Sequence, residues 1–254
     1  MPQPTLETRD LTIRFGGHVA VDRVSCAFHR GTLTAIVGPN GAGKTTYFNL
    51  ISGQLRAAAG TVHLDGHDIS RLSVAARTHR GIGRAFQLTN LFPNLTVREN
   101  VRLVAQAKAG RGFDVLSMAD SHAELLRRAD EVLAEVRLIG TANRKVSALP
   151  HGDQRKLEVA MLIALKPAVL MFDEPTAGMS VDEVPVILDL ITRLKADSSR
   201  TILLVEHKMD VIRSLADRIV VLHNGRLVAD GAPAEVIAAP VVQEAYLGVE
   251  AARV

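Results

Sequence analysis

Nine consecutive residues, Gly38-Pro39-Asn40-Gly41-Ala42-Gly43-Lys44-Thr45-Thr46, spell the pattern G-x-x-x-x-G-K-[ST], whose chemistry is the holding of a polyphosphate. Glycines at 38, 41 and 43 let the backbone turn tightly without Cβ atoms, so that successive N–H groups face one concavity. A helix starting there adds its unpaired N-terminal N–H groups and the positive end of its dipole. Lys44 can then reach β- and γ-phosphates, and the Thr45 hydroxyl can ligate Mg²⁺. Far along the chain, Asp173-Glu174 closes an apolar run. Two adjacent acids at the end of a buried strand are costly unless their charge is compensated. A magnesium ion and an attacking water would compensate it, with Asp173 holding the ion directly or through water and Glu174 polarising the water. Three single residues join them. Phe15, ahead of the loop, can stack on a base or fill a strand core. Gln87 closes Gly83-Arg84-Ala85-Phe86-Gln87, and His207, just past another apolar run, could hydrogen-bond a γ-phosphate.

These residues need a frame of strands. Leu33 to Val37 reads as a buried strand before the loop and Thr46 to Ile51 as the apolar face of a helix after it. Ala168 to Phe172 and Thr201 to Val205 are apolar throughout, as strands covered on both faces should be, and Val184 to Lys195 has helical spacing. Leu6 to Phe28 alternates polar and apolar residues around Gly16-Gly17, and Gly60 to Gly66 has the same character, which predicts a small antiparallel sheet beside the core. Ile219 to Val228 reads as a hairpin around Asn224-Gly225, followed by a short helical tail.

Residues 88 to about 165 are rich in helix formers. Leu125, Ala129, Val132, Leu133 and Val136 mark an amphipathic helix over 124–138, and Gly110-Arg111-Gly112 a break between helices. The expectation is one α/β unit over 1–254, in which a helical lobe of 88–165 is inserted into a core of 1–87 and 166–254.

Composition narrows the function classes. The chain has 254 residues, 47% hydrophobic and 22% charged, which are ordinary globular values. A net charge of +3 without a long basic run gives no case for nucleic acid. One cysteine, Cys26, excludes an internal disulfide and fits a reducing compartment. The N-terminus lacks the order of a signal peptide, and no apolar run approaches the ~20 residues of a bilayer span. A cytosolic chain is expected, with any membrane part supplied by a partner.

With these motifs in order, the chain resembles the nucleotide-binding subunit of an ABC transporter over residues 5 to 248. The resemblance implies the P-loop NTPase core of ABC type, with an antiparallel β subdomain and an inserted helical subdomain. It implies an ATP hydrolase with Mg²⁺ as cofactor. Phe15 matches the aromatic that stacks on adenine, Gly38 to Thr46 the phosphate loop, and Gln87 the glutamine that touches Mg²⁺ and water. Asp173 ends the Walker B strand, Glu174 matches the catalytic glutamate and His207 the switch histidine.

The finer resemblance is to ATPases of branched-chain amino-acid importers and the related urea and amide importers. It is carried by Phe15-Gly16-Gly17, Asn90-Leu91-Phe92, Leu157-Glu158-Val159-Ala160, Glu174-Pro175-Thr176-Ala177-Gly178-Met179, Val205-Glu206-His207 and Tyr246-Leu247-Gly248. It implies a second ATPase subunit, two membrane permeases, indirectly a periplasmic receptor, and a place on the inner face of the cell membrane. Rival expectations are another cargo, such as lipopolysaccharide export, a soluble ABC-type ATPase of DNA repair or translation, and a regulator switched by nucleotide with little turnover.

Two departures stand out. The family signature Leu-Ser-Gly-Gly-Gln is Leu149-Pro150-His151-Gly152-Asp153 here, and Ser180 replaces a common aspartate. In the family the signature caps the γ-phosphate bound by the other subunit. Pro150 has neither hydroxyl nor N–H, and Asp153 adds negative charge. The expectation is a partner ATPase with an intact signature and two unequal ATP sites; the competing one is that His151 and the helix N-terminus suffice.

Overall fold

The structure is a computed structural model and describes residues 3–85, 91–108, 119–179 and 181–247. In chain order the first elements are β1 (Leu6–Phe15), β2 (His18–Phe28), β3 (Leu33–Val37), α1 (Lys44–Ser52), β4 (Ala59–Leu64), β5 (His67–Asp68), α2 (Val74–Arg80) and β6 (Ile82–Ala85). Three helices follow, α3 (Val97–Lys108), α4 (Ala119–Glu135) and α5 (His151–Ala164). The remainder is β7 (Val169–Asp173), α6 (Val184–Lys195), β8 (Thr201–Val205), α7 (Met209–Leu215), β9 (Arg218–His223), β10 (Arg226–Gly231), α8 (Pro233–Ala238) and α9 (Pro240–Leu247).

Two sheets organise the chain. The larger has the order β10-β9-β3-β8-β7-β6, parallel except where β10 turns back on β9; the smaller is antiparallel, β2-β1-β4-β5. Strand alternation assigns side chains to layers. Leu170 and Phe172 of β7, with Ile202 and Leu204 of β8, face a core shared with α3, α4, α5 and α6. Val169, Met171, Leu203 and Val205 face the other way, onto α1 and the small sheet. Both faces are covered, which is why these strands are apolar at every position. Helix α1 lies between the two sheets with Tyr47, Phe48, Leu50 and Ile51 buried.

The strands at 33–37 and 201–205 and the helix at 184–195 fall at the bounds read from the sequence. The helix expected over 124–138 runs instead from Ala119 to Glu135. Its end is a Schellman turn: Arg137 is left-handed at φ +60°, Leu138 N–H donates to Leu133 O at 2.7 Å and Arg137 N–H to Ala134 O at 3.1 Å. Val136 and Leu138 stay buried, so the apolar spacing continues past the last helical residue. Gly110-Arg111-Gly112, Gln87 and Ser180 lie outside the described residues. Helix α2 has no counterpart in the sequence expectations. It carries the buried Arg77, whose guanidinium donates to Leu50 O and Ile51 O at 2.7 and 2.6 Å and so satisfies carbonyls at the end of α1.

Helices α3, α4 and α5 lie in sequence between two strands that are neighbours, β6 and β7. The entry to α3 is fixed by a capping box. Glu99 N–H donates to Thr96 Oγ1 at 3.1 Å, and Glu99 Oε2 accepts from Thr96 N–H at 2.8 Å. Buried Asn100 accepts from Phe92 N–H at 2.8 Å and donates to Phe92 O at 3.2 Å. The backbone of Phe92 is thereby pinned while its ring is 52% exposed.

Candidate functional site

The phosphate-loop pattern sits where β3 hands over to α1. At Gly38, φ +153°, a Cβ would lie 2.1 Å from Leu222 O; at Gly43, φ +96°, it would lie 2.3 Å from Ala20 O. Only glycine lets the loop pass this close to β9 and β2. Gly225 of the β9–β10 turn fastens it further, donating to Ala42 O at 3.1 Å and accepting from Asp22 N–H at 2.8 Å. Gly43 is the N-cap of α1, and no side chain caps that end, so the first N–H groups of the helix are left for an anion.

Phe15, His18, Ala20, residues 40–46 and Glu174 line one cleft of about 380 Å³. The β1–β2 register sets Phe15 opposite His18 across the Gly16-Gly17 turn, and the Phe15 ring is 49% exposed rather than packed in the core. Its strand position therefore serves the cleft mouth. His18 and Ala20 were not singled out by the sequence; the signal was the hairpin register that follows from Gly16-Gly17.

Lys44 is buried, and its Nζ donates to Gly38 O at 2.7 Å and Pro39 O at 2.9 Å. Burial lowers its pKa, opposed by the negative charges of Glu174 and Asp173. These two acids thus lie within electrostatic reach of the ammonium, although half the chain separates them from it in sequence.

Every residue of β7 is buried, Asp173 included. Its charge is met by a residue that sequence reasoning had not assigned: Arg84 on β6 donates from Nη2 to Asp173 Oδ2 at 2.6 Å. Part of the compensation this carboxylate needs is thus supplied by an arginine, through Oδ2. Burial lowers the Arg84 pKa, against the opposing effect of Asp173. Glu174 follows in the left-handed region, φ +49°, with its N–H donating to Val205 O at 2.9 Å. That conformation costs about 1 kcal/mol or more in a non-glycine residue and turns the side chain from the strand into the cleft.

Beside it, Glu206 is fully buried and accepts from Thr176 Oγ1 at 2.8 Å. Burial raises its carboxyl pKa, countered in part by the threonine and by the charges of His207 and Lys208. His207 is exposed just past β8 and is absent from the cleft lining. The structure brings Phe15, the 40–46 loop and Glu174 together, with Asp173 behind them.

The segment Leu149-Pro150-His151-Gly152-Asp153 is elsewhere, at the start of α5, and none of it lines the cleft. Leu149 is buried in the helical core and Pro150 is the N-cap, without a side-chain cap. The Asp153 carboxylate is not free: Lys156 donates to it at 2.7 Å across one helical turn. Gly152 is buried against Glu183, where a Cβ would stand 2.3 Å from Oε1. Among the described residues no helix is long and apolar enough to cross a membrane.

Residues 21–177 match the family model for ABC transporters. The chain is 38% identical to the high-affinity branched-chain amino acid transport ATP-binding protein BraF of Pseudomonas aeruginosa, over 98% of this chain and 99% of that one. It is 39% identical to the corresponding protein LivG of Salmonella typhimurium, again over 98% and 99%. Among solved structures, the ADP conformation of MJ1267, an ATP-binding cassette of an ABC transporter, superposes with a TM-score of 0.82 at 28% identity, covering 98% of this chain and all of the other.

Proposed function

The chain belongs to the ABC transporter family as an ATP-binding, ATP-hydrolysing subunit, and from that premise we propose that it energises import of branched-chain amino acids or a related small polar solute. The cleft supports the ATPase part of the proposal, because it sets an uncapped helix N-terminus, Lys44 and Glu174 around one space beside exposed Phe15, and the likeness to BraF and LivG supports the cargo. We assign 1–87 and 166–254 to the catalytic core and 88–165 to a helical lobe.

In this assignment Phe15 stacks on adenine and residues 38–46 wrap the phosphates with backbone N–H groups. Lys44 exchanges the carbonyls of Gly38 and Pro39 for β- and γ-phosphate oxygens. Among the described residues no cluster of three His, Cys, Asp or Glu could hold a metal alone. Thr45 and Asp173 instead offer hard oxygen donors, the set that suits Mg²⁺ sharing its shell with phosphates and water. Gln87 is the further ligand implied by the family pattern. When bound, the ion supplies positive charge to the transferring phosphoryl group. Glu174 orients the attacking water, and His207, outside the cleft lining in this structure, is the γ-phosphate partner that the family pattern implies.

The partners follow from the same family. ATP closes this subunit against a second ATPase, and hydrolysis releases it; membrane permeases take up that motion. Exposed Phe92 and half-buried Leu91, on a backbone pinned by Asn100, offer the socket for a permease helix at the inner face of the membrane. Residues 149–153 face the γ-phosphate of the other subunit. Because Pro150 supplies no hydroxyl there, the partner is a different chain with an intact signature, and the two ATP sites are unequal. A regulator with little turnover is the second reading that Pro150 favours.

The test is leucine uptake by vesicles that hold the permeases, this chain and the second ATPase. ATP-dependent accumulation is expected, lost at least a hundredfold in Lys44→Ala together with nucleotide binding. Uptake that persists in the variant would remove this chain from the energy-coupling role.

A further inference from the structure

We infer that Arg84 is a positioning residue for Asp173, holding its carboxylate in one orientation from a base anchored on the phosphate-loop helix. Arg84 lies on β6, paired in register with Met171 of β7. One nitrogen, Nη2, donates to Asp173 Oδ2 at 2.6 Å. The other, Nη1, stands 2.7 Å from Asn49 Oδ1 and 3.0 Å from Ser52 Oγ, both on α1, and 3.0 Å from Gln54 Oε1 just beyond it. The guanidinium carbon sits 5.5 Å from the centre of the Phe48 ring, also on α1. The side chains of Arg84 and Asp173 are only 8% and 7% exposed.

A carboxylate terminal torsion is broad and roughly two-fold, so nothing in Asp173 itself decides which oxygen faces the cleft. A charge-assisted bond to Oδ2 decides it and turns Oδ1 the other way. The fork matters more than the charge. A lysine ammonium could reach either the carboxylate or the α1 acceptors, whereas the rigid guanidinium spans both. A carboxylate thereby becomes rigid with the helix whose N-terminus forms the phosphate cradle, across three elements that are distant in sequence.

The inference rests on the reading of Asp173 as a metal-side carboxylate, and the experiment separates the two. ADP binding to the full chain is measured by titration calorimetry over a range of free Mg²⁺ and again with the metal chelated. Wild-type affinity that does not respond to Mg²⁺ would count against the metal-side reading of Asp173 itself. Given a response, Arg84→Lys keeps the charge and loses the fork. It is expected to raise the half-saturating Mg²⁺ concentration at least fivefold while metal-free ADP affinity stays within twofold. An Mg²⁺ requirement equal to wild type, or an equal loss with and without metal, overturns the inference. The double variant Asn49→Ala/Ser52→Ala leaves Arg84 and Asp173 in place and loosens only the base. It is expected to move the requirement in the same direction by two- to threefold, and no movement overturns the role of α1.

Discussion

The cleft around Lys44 and the segment at the head of α5 are both helix N-termini suited to phosphate, yet they are finished to different degrees. At α1 the loop is locked by glycines against β2 and β9, the ammonium is held in place, and buried Asp173 is matched by Arg84. At α5, whose end is as free of a side-chain cap as that of α1, the N-cap is a proline and Asp153 is committed to Lys156. The contrast teaches that completeness resides in one half of this surface. That difference is what the proposal of a different partner ATPase and two unequal sites rests on.

Three experiments break or sharpen that contrast. The largest effect is expected from Glu174→Gln, which keeps the shape of the complete half and removes its carboxylate. ATP binding should persist while phosphate release falls at least tenfold; unchanged turnover would mean that another group orients the water. Next is repair of the other half by Pro150→Ser, His151→Gly and Asp153→Gln together. A serine N-cap steadies α5 by about 1 kcal/mol, but glycine at 151 and loss of the Asp153–Lys156 pair offset it, so Tm should change little while turnover of the chain alone should rise several-fold in a steady-state assay. Unchanged turnover would place the inequality outside this segment.

The smallest effect concerns pH. Burial raises the Glu206 carboxyl above its ordinary 4.5, so the folded chain holds that proton more tightly than the unfolded one. Its contribution is therefore fully present below 4.5 and is lost as pH rises through the higher folded value. Glu206→Gln keeps the acceptor for Thr176 and removes the titration. Melting curves should coincide near the low end of this range and separate by about 1–3 °C in favour of the variant at pH 8. A constant offset at every pH would assign the difference to packing.

Much of this was legible because single residues obeyed single rules. The runs at 33–37 and 201–205 are covered on both faces, so their letters alone bound them, and Asn224-Gly225 announces its own turn. The phosphate loop and Glu174 could be found because each is a fixed spelling. Arg84 could not be placed in the same way: its partners lie on α1 and β7, and no spacing in one chain reports a contact across three elements. A clue was present, since an arginine between Gly83 and Ala85 in a strand asks what balances it. The Asp153–Lys156 pair was readable from its three-residue spacing. The position of His207 outside the cleft lining depends on backbone path beyond β8, which composition does not encode.

Strand β3 carries a consequence for biosynthesis. Both its neighbours are encoded late: Leu33 aligns with Ile202 of β8, and Thr34 with Arg218 of β9. At ordinary ribosomal speeds the nascent polypeptide waits on the order of ten seconds between emergence of this apolar segment and arrival of either mate. Throughout that interval the two flanks of the strand have no permanent occupant, an open invitation to intermolecular pairing. Overproduced material should accordingly reach the soluble fraction best when translation is slow or holdase chaperones are abundant, and it is the strand leading into the phosphate loop that they would be sheltering.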